Sequence, residues 1–193
     1  FKPKKIKDFK PIGLNILTFN VGFKKRHKDV LLIVFDKIIN VCCVYSKTST
    51  PSAPIIWDKK NNKGKVKALI VNAGNANAHT GKAGLKIIDK YVEALTKKIE
   101  CKASEVLVSS TGVIGEKFDP KLIINKIEKL NSNNKSSLLE ASNAIMTTDT
   151  FPKVSIKNIS LDNQSFKIYG IAKGSGMIQP NMGTMLVYIF MEC

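Results

Sequence analysis

The sequence predicts a domain of the α/β or α+β class, and two observations support this prediction. Short apolar segments typical of buried strands are interspersed along the chain with longer segments whose apolar residues recur every three or four positions. The chain has 193 residues, 44% of them hydrophobic and 24% charged. It is therefore long enough to bury a core, and its composition is far from that of a disordered chain.

The N-terminal region predicts an extended segment followed by strands. Residues 1–12 are basic and contain prolines, which favours an extended lead-in. Two apolar runs, 30–35 and 38–45, flank Asp36 and Lys37, and this pattern predicts two strands joined by a tight turn.

The next segment predicts a loop and a turn. Residues 46–54 are rich in Ser, Thr and Pro, and a short apolar piece follows at 55–57. Residues 59–65 are polar and predict a turn.

The middle of the chain predicts a strand, a helix and a second strand. Residues 68–71 form an apolar run, followed by the small residues of 72–81. Residues 83–100 predict a helix because their apolar residues form one stripe: Leu85, Ile88, Val92, Leu95 and Ile99. Residues 106–108 predict the next strand and 109–115 a turn.

The C-terminal half predicts two helices and three strands. Asp119 and Pro120 are suited to the N-cap and first position of a helix that continues to Leu130. A shorter helix is predicted at 138–146. Strands are predicted at 154–156, 166–172 and 185–191.

The formal net charge of +16 at first suggests an anionic partner such as nucleic acid. Arg26 is the one arginine, however, so the other 30 basic residues are lysines, and they are spread along the chain. Bidentate contacts to bases depend on guanidinium groups, which lysine replaces poorly. The composition therefore argues against specific recognition of nucleic acid.

Several other classes of protein are disfavoured. The apolar runs are shorter than the roughly 20 residues that span a bilayer, and no signal peptide is visible behind the first residues, which lack an initiator Met. The four cysteines lack the CxxC spacing of a zinc site. We expect no metal site and no association with membranes. We expect the cysteines to be reduced thiols in a cytoplasmic protein.

Four segments rich in Gly, Thr, Asn and Ser follow predicted strands or helices: 72–81, 109–115, 146–150 and 173–184. Loops at strand ends often have functional roles, although Gly and Asn also occur there simply because they accept the backbone of a turn. No dinucleotide-binding, phosphate-binding or GxSxG motif is present.

Thr184 is a candidate nucleophile that needs no histidine. It follows Gly183 at the start of an apolar strand. A threonine freed at a chain N-terminus can use its own α-amine as the base, because an α-amine titrates near neutral pH. The alternative is that Thr184 simply begins the strand.

Four segments together resemble the ornithine acetyltransferase family, also called glutamate N-acetyltransferase. They occur in the family's order: 72–81 (NAGNANAHTG), 110–115 (STGVIG), 146–153 (MTTDTFPK) and 173–186 (KGSGMIQPNMGTML). The resemblance implies a layered αββα sandwich of the self-processing N-terminal-nucleophile type. It also implies cleavage between Gly183 and Thr184, which divides the precursor into an α and a β chain.

The resemblance also implies roles for individual residues. Thr184 is the nucleophile that takes acetyl from N-acetylornithine and passes it to glutamate. Thr111 and Gly112 form the oxyanion hole, and Thr147 and Lys173 bind substrate. Thr148 is an alternative to Thr147 because the two are adjacent. A lysine suits substrates that contain carboxylates.

Partners and cofactors follow from the same resemblance. The acetyl donor is itself a substrate, so no metal or organic cofactor is expected, with acetyl-CoA a second candidate donor. Residues 1–183 represent the α segment, and residues 184–193 represent the first strand of the β segment. We expect the remainder of the β segment, which contains further substrate-binding residues, to be missing. The family suggests a heterotetramer of two α and two β chains.

One residue differs from the family pattern, and two alternative functions stay open. Gly183 stands where alanine is more usual, but both residues are small. A self-processing, aminopeptidase-like hydrolase with the same nucleophile is the first alternative, and a basic module that binds nucleic acid is the second.

Overall fold

The computed structural model describes residues 9–131, 135–161, 164–175 and 184–192, which form two β-sheets and four α-helices. In chain order, the elements are β1 (Leu14–Phe19), β2 (Val30–Asn40), α1 (Ala53–Asn61), β3 (Lys65–Asn75), α2 (Gly81–Ile99), a 3-10 turn (Ala103–Glu105), β4 (Val106–Val113), α3 (Lys121–Glu128), α4 (Leu138–Ile145), β5 (Lys153–Leu161), β6 (Gln164–Lys173) and β7 (Leu186–Glu192).

The first sheet has the strand order β1-β2-β3-β4. Its β3 and β4 strands are parallel, joined by α2, whereas the other pairs are antiparallel. The second sheet has the order β5-β6-β7 and is antiparallel throughout. Because β3 and β4 run in the same direction, the loops that follow them emerge at the same edge of the first sheet.

Two apolar clusters pack on opposite faces of the first sheet, because successive side chains of a strand alternate between faces. Val30 and Leu32 of β2 face α1, α2 and α3, with Trp57 of α1 in the same cluster. Leu31 and Ile33 face α4 and the second sheet, which contributes the buried residues Tyr169 and Ile171. The layers are therefore helices, first sheet, then α4 with the second sheet.

The outer face of the second sheet is apolar and exposed. Val187, Ile189 and Met191 alternate along β7 and are 48%, 72% and 61% exposed. The described residues thus leave this face uncovered, in contrast to both faces of the first sheet.

Most of the predicted elements are confirmed. The helices predicted at 83–100 and 138–146 correspond to α2 and α4, and the predicted C-terminal strands correspond to β5, β6 and β7. The helix predicted from Asp119 begins at Lys121, with Pro120 at the N-cap. Asp119 still contributes, because its carboxylate accepts the Lys121 N–H at 2.9 Å.

The prediction of two strands joined by a turn at Asp36 and Lys37 is wrong. The chain continues through these residues as the single strand β2, with a shift of register between Val34 and Ile39. Asp36 stays within the strand because its N–H donates to the Gly13 carbonyl and its own carbonyl accepts a hydrogen bond from Lys67 Nζ. The bulge therefore takes the place of the turn.

Three further elements differ from the prediction. β4 continues to Val113, through most of the turn predicted at 109–115. Residues 53–61 form α1, which covers the end of the predicted loop, the apolar piece at 55–57 and part of the predicted turn. Pro54 lies in its first turn, where a missing N–H costs nothing. The strand β1 was not predicted, although Leu14–Phe19 alternates between buried and half-buried positions.

Candidate functional site

The end of β4 provides a threonine and a glycine next to the neighbouring strand. Thr111 is 1% exposed, and Gly112 follows it at the surface with a φ of +132°. A Cβ atom on Gly112 would lie 2.3 Å from the carbonyl carbon of Gly74 in β3. The close approach of the two strands therefore requires glycine here.

Asparagines near the C-terminal end of β3 hold this region together. Asn72 accepts a bond from the Ser110 hydroxyl at 2.6 Å, and its amide donates to the Asn75 carbonyl at 2.8 Å. The Asn75 amide donates in turn to the Glu116 carbonyl at 3.0 Å, beyond the end of β4. These contacts agree with the interpretation of 72–81 as supporting backbone.

Lys173 brings four separate segments of the chain together. Its Nζ atom donates to Oγ1 of Thr111 at 3.0 Å and to Oγ1 of Thr147 at 2.6 Å. The carbonyl oxygen of Thr184 lies 3.5 Å from the same nitrogen. Lys173 is 1% exposed and is the last residue of β6, where it pairs with Leu186 of β7. Thr184 lies close to Lys173 because it comes just before β7 in the chain.

The structure distinguishes between the two adjacent threonines. Thr147 contacts Lys173, whereas Thr148 is exposed and its hydroxyl donates to the Ser175 carbonyl at 3.0 Å. Thr147 is therefore the member of the pair that lies at the cluster. Gly183 lies outside the described residues.

Asp149 is a site residue to which the sequence analysis gave no role. Its Oδ1 atom accepts the Gly174 N–H at 2.9 Å and a bond from Lys153 Nζ at 2.5 Å. Its Oδ2 atom lies 3.5 Å from the Thr147 N–H. Asp149 thus links the residue after Lys173 to the start of the Thr147 loop.

Lys24 also approaches the cluster, from the loop after β1. The buried Asp29 carboxylate orders this loop by accepting three backbone N–H groups, those of Val21, Gly22 and Lys24. Lys24 Nζ donates to the Ala144 carbonyl at 2.8 Å, in the last turn of α4. A cation at this end of the helix is favourable because carbonyls are left unpaired there.

Burial lowers the pKa of Lys173, since it disfavours the charged ammonium. The Asp149 carboxylate opposes this shift, and the positive charge of Lys153 adds to it. Burial also lowers the pKa of Lys24, to about 8, with Asp29 opposing the shift and Lys173 adding to it. For Asp149, burial works against ionisation, but the bonds from Lys153 and Gly174 outweigh it and hold its pKa below the usual value.

The described residues contain neither a membrane-spanning helix nor a metal-binding cluster. No helix among them is long and apolar enough to cross a membrane. They contain no cluster of three or more His, Cys, Asp or Glu side chains of the kind that binds a metal ion. Cys42, Cys43 and Cys101 are free thiols.

Fold and site together define a layered α/β protein in which threonine hydroxyls surround a buried lysine at the ends of the strands. The family model described as the ArgJ family matches residues 15–193. The chain therefore belongs to the ArgJ family.

Curated relatives and solved structures agree with this assignment. The arginine biosynthesis bifunctional protein ArgJ of Bradyrhizobium diazoefficiens is 41% identical over 194 residues, which cover 98% of this chain and 47% of that protein. The ArgJ protein of Mesorhizobium japonicum is 44% identical, with 92% of this chain and 44% of that protein covered.

Two solved structures have the same fold. The ArgJ protein of Bacillus halodurans superposes with a TM-score of 0.81 at 31% identity, over 91% of this chain and 92% of that chain. The ornithine acetyltransferase of Mycobacterium tuberculosis, solved with ornithine, superposes with a TM-score of 0.73 at 25% identity. The match covers 91% of this chain and 94% of that chain. These matches confirm the predicted fold class. The chain spans slightly less than half the length of the curated relatives it matches.

Proposed function

We propose that the protein to which this chain belongs is a glutamate N-acetyltransferase of arginine biosynthesis. In this proposal it moves acetyl from N-acetylornithine to glutamate through an acetyl ester on Thr184. The contacts of Lys173 Nζ with Thr111, Thr147 and Thr184 support the proposal most strongly, because they join the candidate nucleophile to the candidate oxyanion hole.

Self-cleavage is the first step of the proposal. Breaking the peptide bond between Gly183 and Thr184 frees the α-amine of Thr184, which titrates near neutral pH and can serve as the base for its own hydroxyl. The division gives residues 1–183 to the α segment and begins the β segment at 184.

The transfer then takes place in two half-reactions. The Thr184 hydroxyl oxygen adds to the acetyl carbonyl carbon while its proton passes to the α-amine, and the C–N bond breaks to release ornithine with that proton. In the second half, the glutamate amine attacks the ester and the Thr184 oxygen leaves, recovering a proton. Thr111 and Gly112 are suited to stabilise the negative charge on the carbonyl oxygen in both halves.

The acetyl group arrives with its donor, so this reaction needs no metal or organic cofactor. Acetyl-CoA is a second candidate donor for the same acetyl-enzyme. Location in the cytoplasm is part of the proposal and agrees with the free thiols of Cys42, Cys43 and Cys101, which are typical of reducing compartments.

The remainder of the β segment, beyond the first strand that this chain contains, is the proposed partner of this chain, in a heterotetramer of two α and two β chains. The exposed apolar face of β7, which contains Val187, Ile189 and Met191, supports the proposal because large apolar faces of soluble proteins are normally covered. The relatives are about twice as long, which leaves enough chain for such a cover.

Mass spectrometry of the full-length protein tests the cleavage. We expect two fragments with a break before Thr184, and one intact chain for Thr184→Ala. Thr50→Ala, in an exposed loop, is the matched control and should cleave normally. A wild-type chain that stays intact after long incubation would contradict the proposal.

A separate assay distinguishes transfer from hydrolysis. The full-length protein is incubated with N-acetylornithine, with and without glutamate. We expect N-acetylglutamate to form when glutamate is present. Release of acetate without N-acetylglutamate would instead identify the hydrolase.

A further inference from the structure

The Asp149 side chain extends the pairing of β6 beyond the point where β5 begins. In the register of the two strands, Lys153 lies opposite Ala172. Continuing this register would place Phe151 opposite Gly174, but β5 begins only at Lys153. The Asp149 carboxylate takes the place of a backbone partner, because its Oδ1 atom accepts the Gly174 N–H at 2.9 Å.

The same carboxylate makes two further contacts with N–H groups. The side chain of Asp149 is fully buried, and Oδ1 also accepts a bond from Lys153 Nζ at 2.5 Å. Its Oδ2 atom lies 3.5 Å from the backbone nitrogen of Thr147. Bonds to an ionised acceptor are stronger than bonds between neutral groups. One charged group therefore holds two backbone positions, that of Thr147 and that of the residue after Lys173.

Two more bonds join the same segments of the chain. The Thr148 hydroxyl donates to the Ser175 carbonyl at 3.0 Å. Thr147 Oγ1 accepts from Lys173 Nζ at 2.6 Å. The loop after α4 is thus joined to the end of β6 at three successive residues. Because a lysine has a long, flexible stem, the position of its ammonium depends on how firmly its backbone and its partners are held.

We infer that Asp149 is a positioning residue for the substrate-binding pair Thr147 and Lys173. Its carboxylate holds the end of β6 against the loop after α4, so that the threonine hydroxyl and the lysine ammonium are in place before the substrate arrives. Asp149 transfers no proton, because its oxygens are engaged by N–H donors and its charge is paired with Lys153. The inference rests on the proposed function, in which Thr147 and Lys173 bind substrate.

This role predicts a particular change in kinetics. Contacts that hold the substrate both before and during the reaction lower KM, whereas contacts made only in the transition state raise kcat. Loosening Thr147 and Lys173 should therefore raise KM for N-acetylornithine and for glutamate, because both react at the same threonine. A misplacement of about 1 Å can cost on the order of 100-fold in activity.

A double-mutant cycle on the full-length protein tests the inference. Asp149→Asn keeps the size of the side chain but loses the charge and one acceptor oxygen. This variant, Lys173→Met and the double variant are compared by kcat and KM for both substrates. The measurements are made below the alkaline limit of each variant, with turnover normalised to the fraction of cleaved chains.

We expect Asp149→Asn to raise KM for both substrates by about 10- to 100-fold, with a smaller change in kcat. It should add little in the Lys173→Met background, because the pair that it positions is already broken there. Asp36→Asn, the same change at an exposed site on β2, is the control and should behave as wild type.

Three results would overturn the inference: wild-type constants in Asp149→Asn, a loss in kcat with KM preserved, or losses that multiply in the double variant. A wild-type protein that forms no N-acetylglutamate would instead contradict the proposed function, so the two failures are distinguishable.

A crystal structure of full-length Asp149→Asn gives a second measurement that does not depend on cleavage. We expect Thr147 Oγ1 and Lys173 Nζ to separate beyond hydrogen-bonding distance, and a retained contact of 2.6 Å would overturn the inference. If Asp149→Asn does not fold, Asp149→Glu replaces it in both measurements, since it keeps the charge but displaces the carboxylate by one bond.

Discussion

Asp149 and Lys153 set the electrostatic environment of Lys173 at the scale of single residues. The Asp149 carboxylate favours the charged form of Lys173, whereas the Lys153 ammonium disfavours it. Lys173 in turn lowers the pKa of Lys24 by repulsion between like charges. Burial lowers the pKa of Lys173, so the ionisation of this lysine is sensitive to its neighbours.

Two substitutions should move the alkaline limit of activity in opposite directions. In the proposed reaction, the charged form of Lys173 is the one suited to substrates that contain carboxylates, so we expect activity to be lost as pH rises through the Lys173 pKa. Asp149→Asn removes the negative neighbour and lowers that pKa, so the limit moves to lower pH. Lys153→Met removes a positive neighbour and raises the pKa of Lys173, so the alkaline limit moves to higher pH. The pH dependence of kcat measures both, and shifts of the same sign would contradict the assignment.

The residues of the site could be predicted only partly from sequence. Thr111, Thr147, Lys173 and Thr184 were chosen through motif resemblance, and all four are in contact through Lys173 although Thr111 precedes it by 62 positions. Nothing in the sequence distinguishes Lys24 from the other lysines, because the chain contains 30 of them. Asp149 was part of a motif, but its bonds to Gly174 and Lys153 depend on tertiary packing.

At the scale of elements, an amphipathic pattern separates the helices that could be predicted from sequence from those that could not. α2 was predictable because its apolar residues form one stripe. α1 was not, because its apolar and polar residues do not segregate to opposite faces. It is stabilised by burial of Trp57 and by a hydrogen bond that the buried Asp58 accepts. Asp58 accepts the Val108 N–H at 3.0 Å, so α1 covers the outer edge of β4.

The contact between β3 and β4 gives a prediction about glycine. Gly112→Ala should destabilise the protein by more than the roughly 1–3 kcal/mol of a strained backbone, because the new Cβ also collides with Gly74. Gly115→Ala is the matched control, since Gly115 also has a positive φ but open space around it. Urea unfolding measures both, and equal losses would contradict the close approach of the strands.

At the scale of the whole molecule, one sheet face lacks a cover within the described residues. The αββα prediction needs a fourth layer, and we expect it to pack on the exposed side chains of β7. The net charge of +16 belongs to a chain that spans less than half of its relatives' length. Most of this charge is lysine on the surface, whereas Lys173 is buried within the candidate site.

A charge on the uncovered face tests whether the rest of the β segment packs there. Ile189 is 72% exposed in this chain, so Ile189→Lys costs little here but would bury a charge beneath the remainder of the β segment. We expect this variant of the full-length protein to unfold at a lower urea concentration than the wild type. Ile38→Lys, at a 49% exposed site on β2, is the control and should unfold as the wild type does. An unfolding midpoint that Ile189→Lys leaves unchanged would contradict burial of this face in the full-length protein.

The central claim is that Thr184 holds the acetyl group between the two half-reactions. The full-length, cleaved protein is mixed with N-acetylornithine in the absence of glutamate, quenched, digested and analysed by peptide mass spectrometry. The account predicts one acetyl group on the peptide that begins with Thr184, bound as an ester and discharged when glutamate is added. Acetyl transfer to glutamate without any acetylated Thr184, or with the acetyl group on another residue, would contradict it.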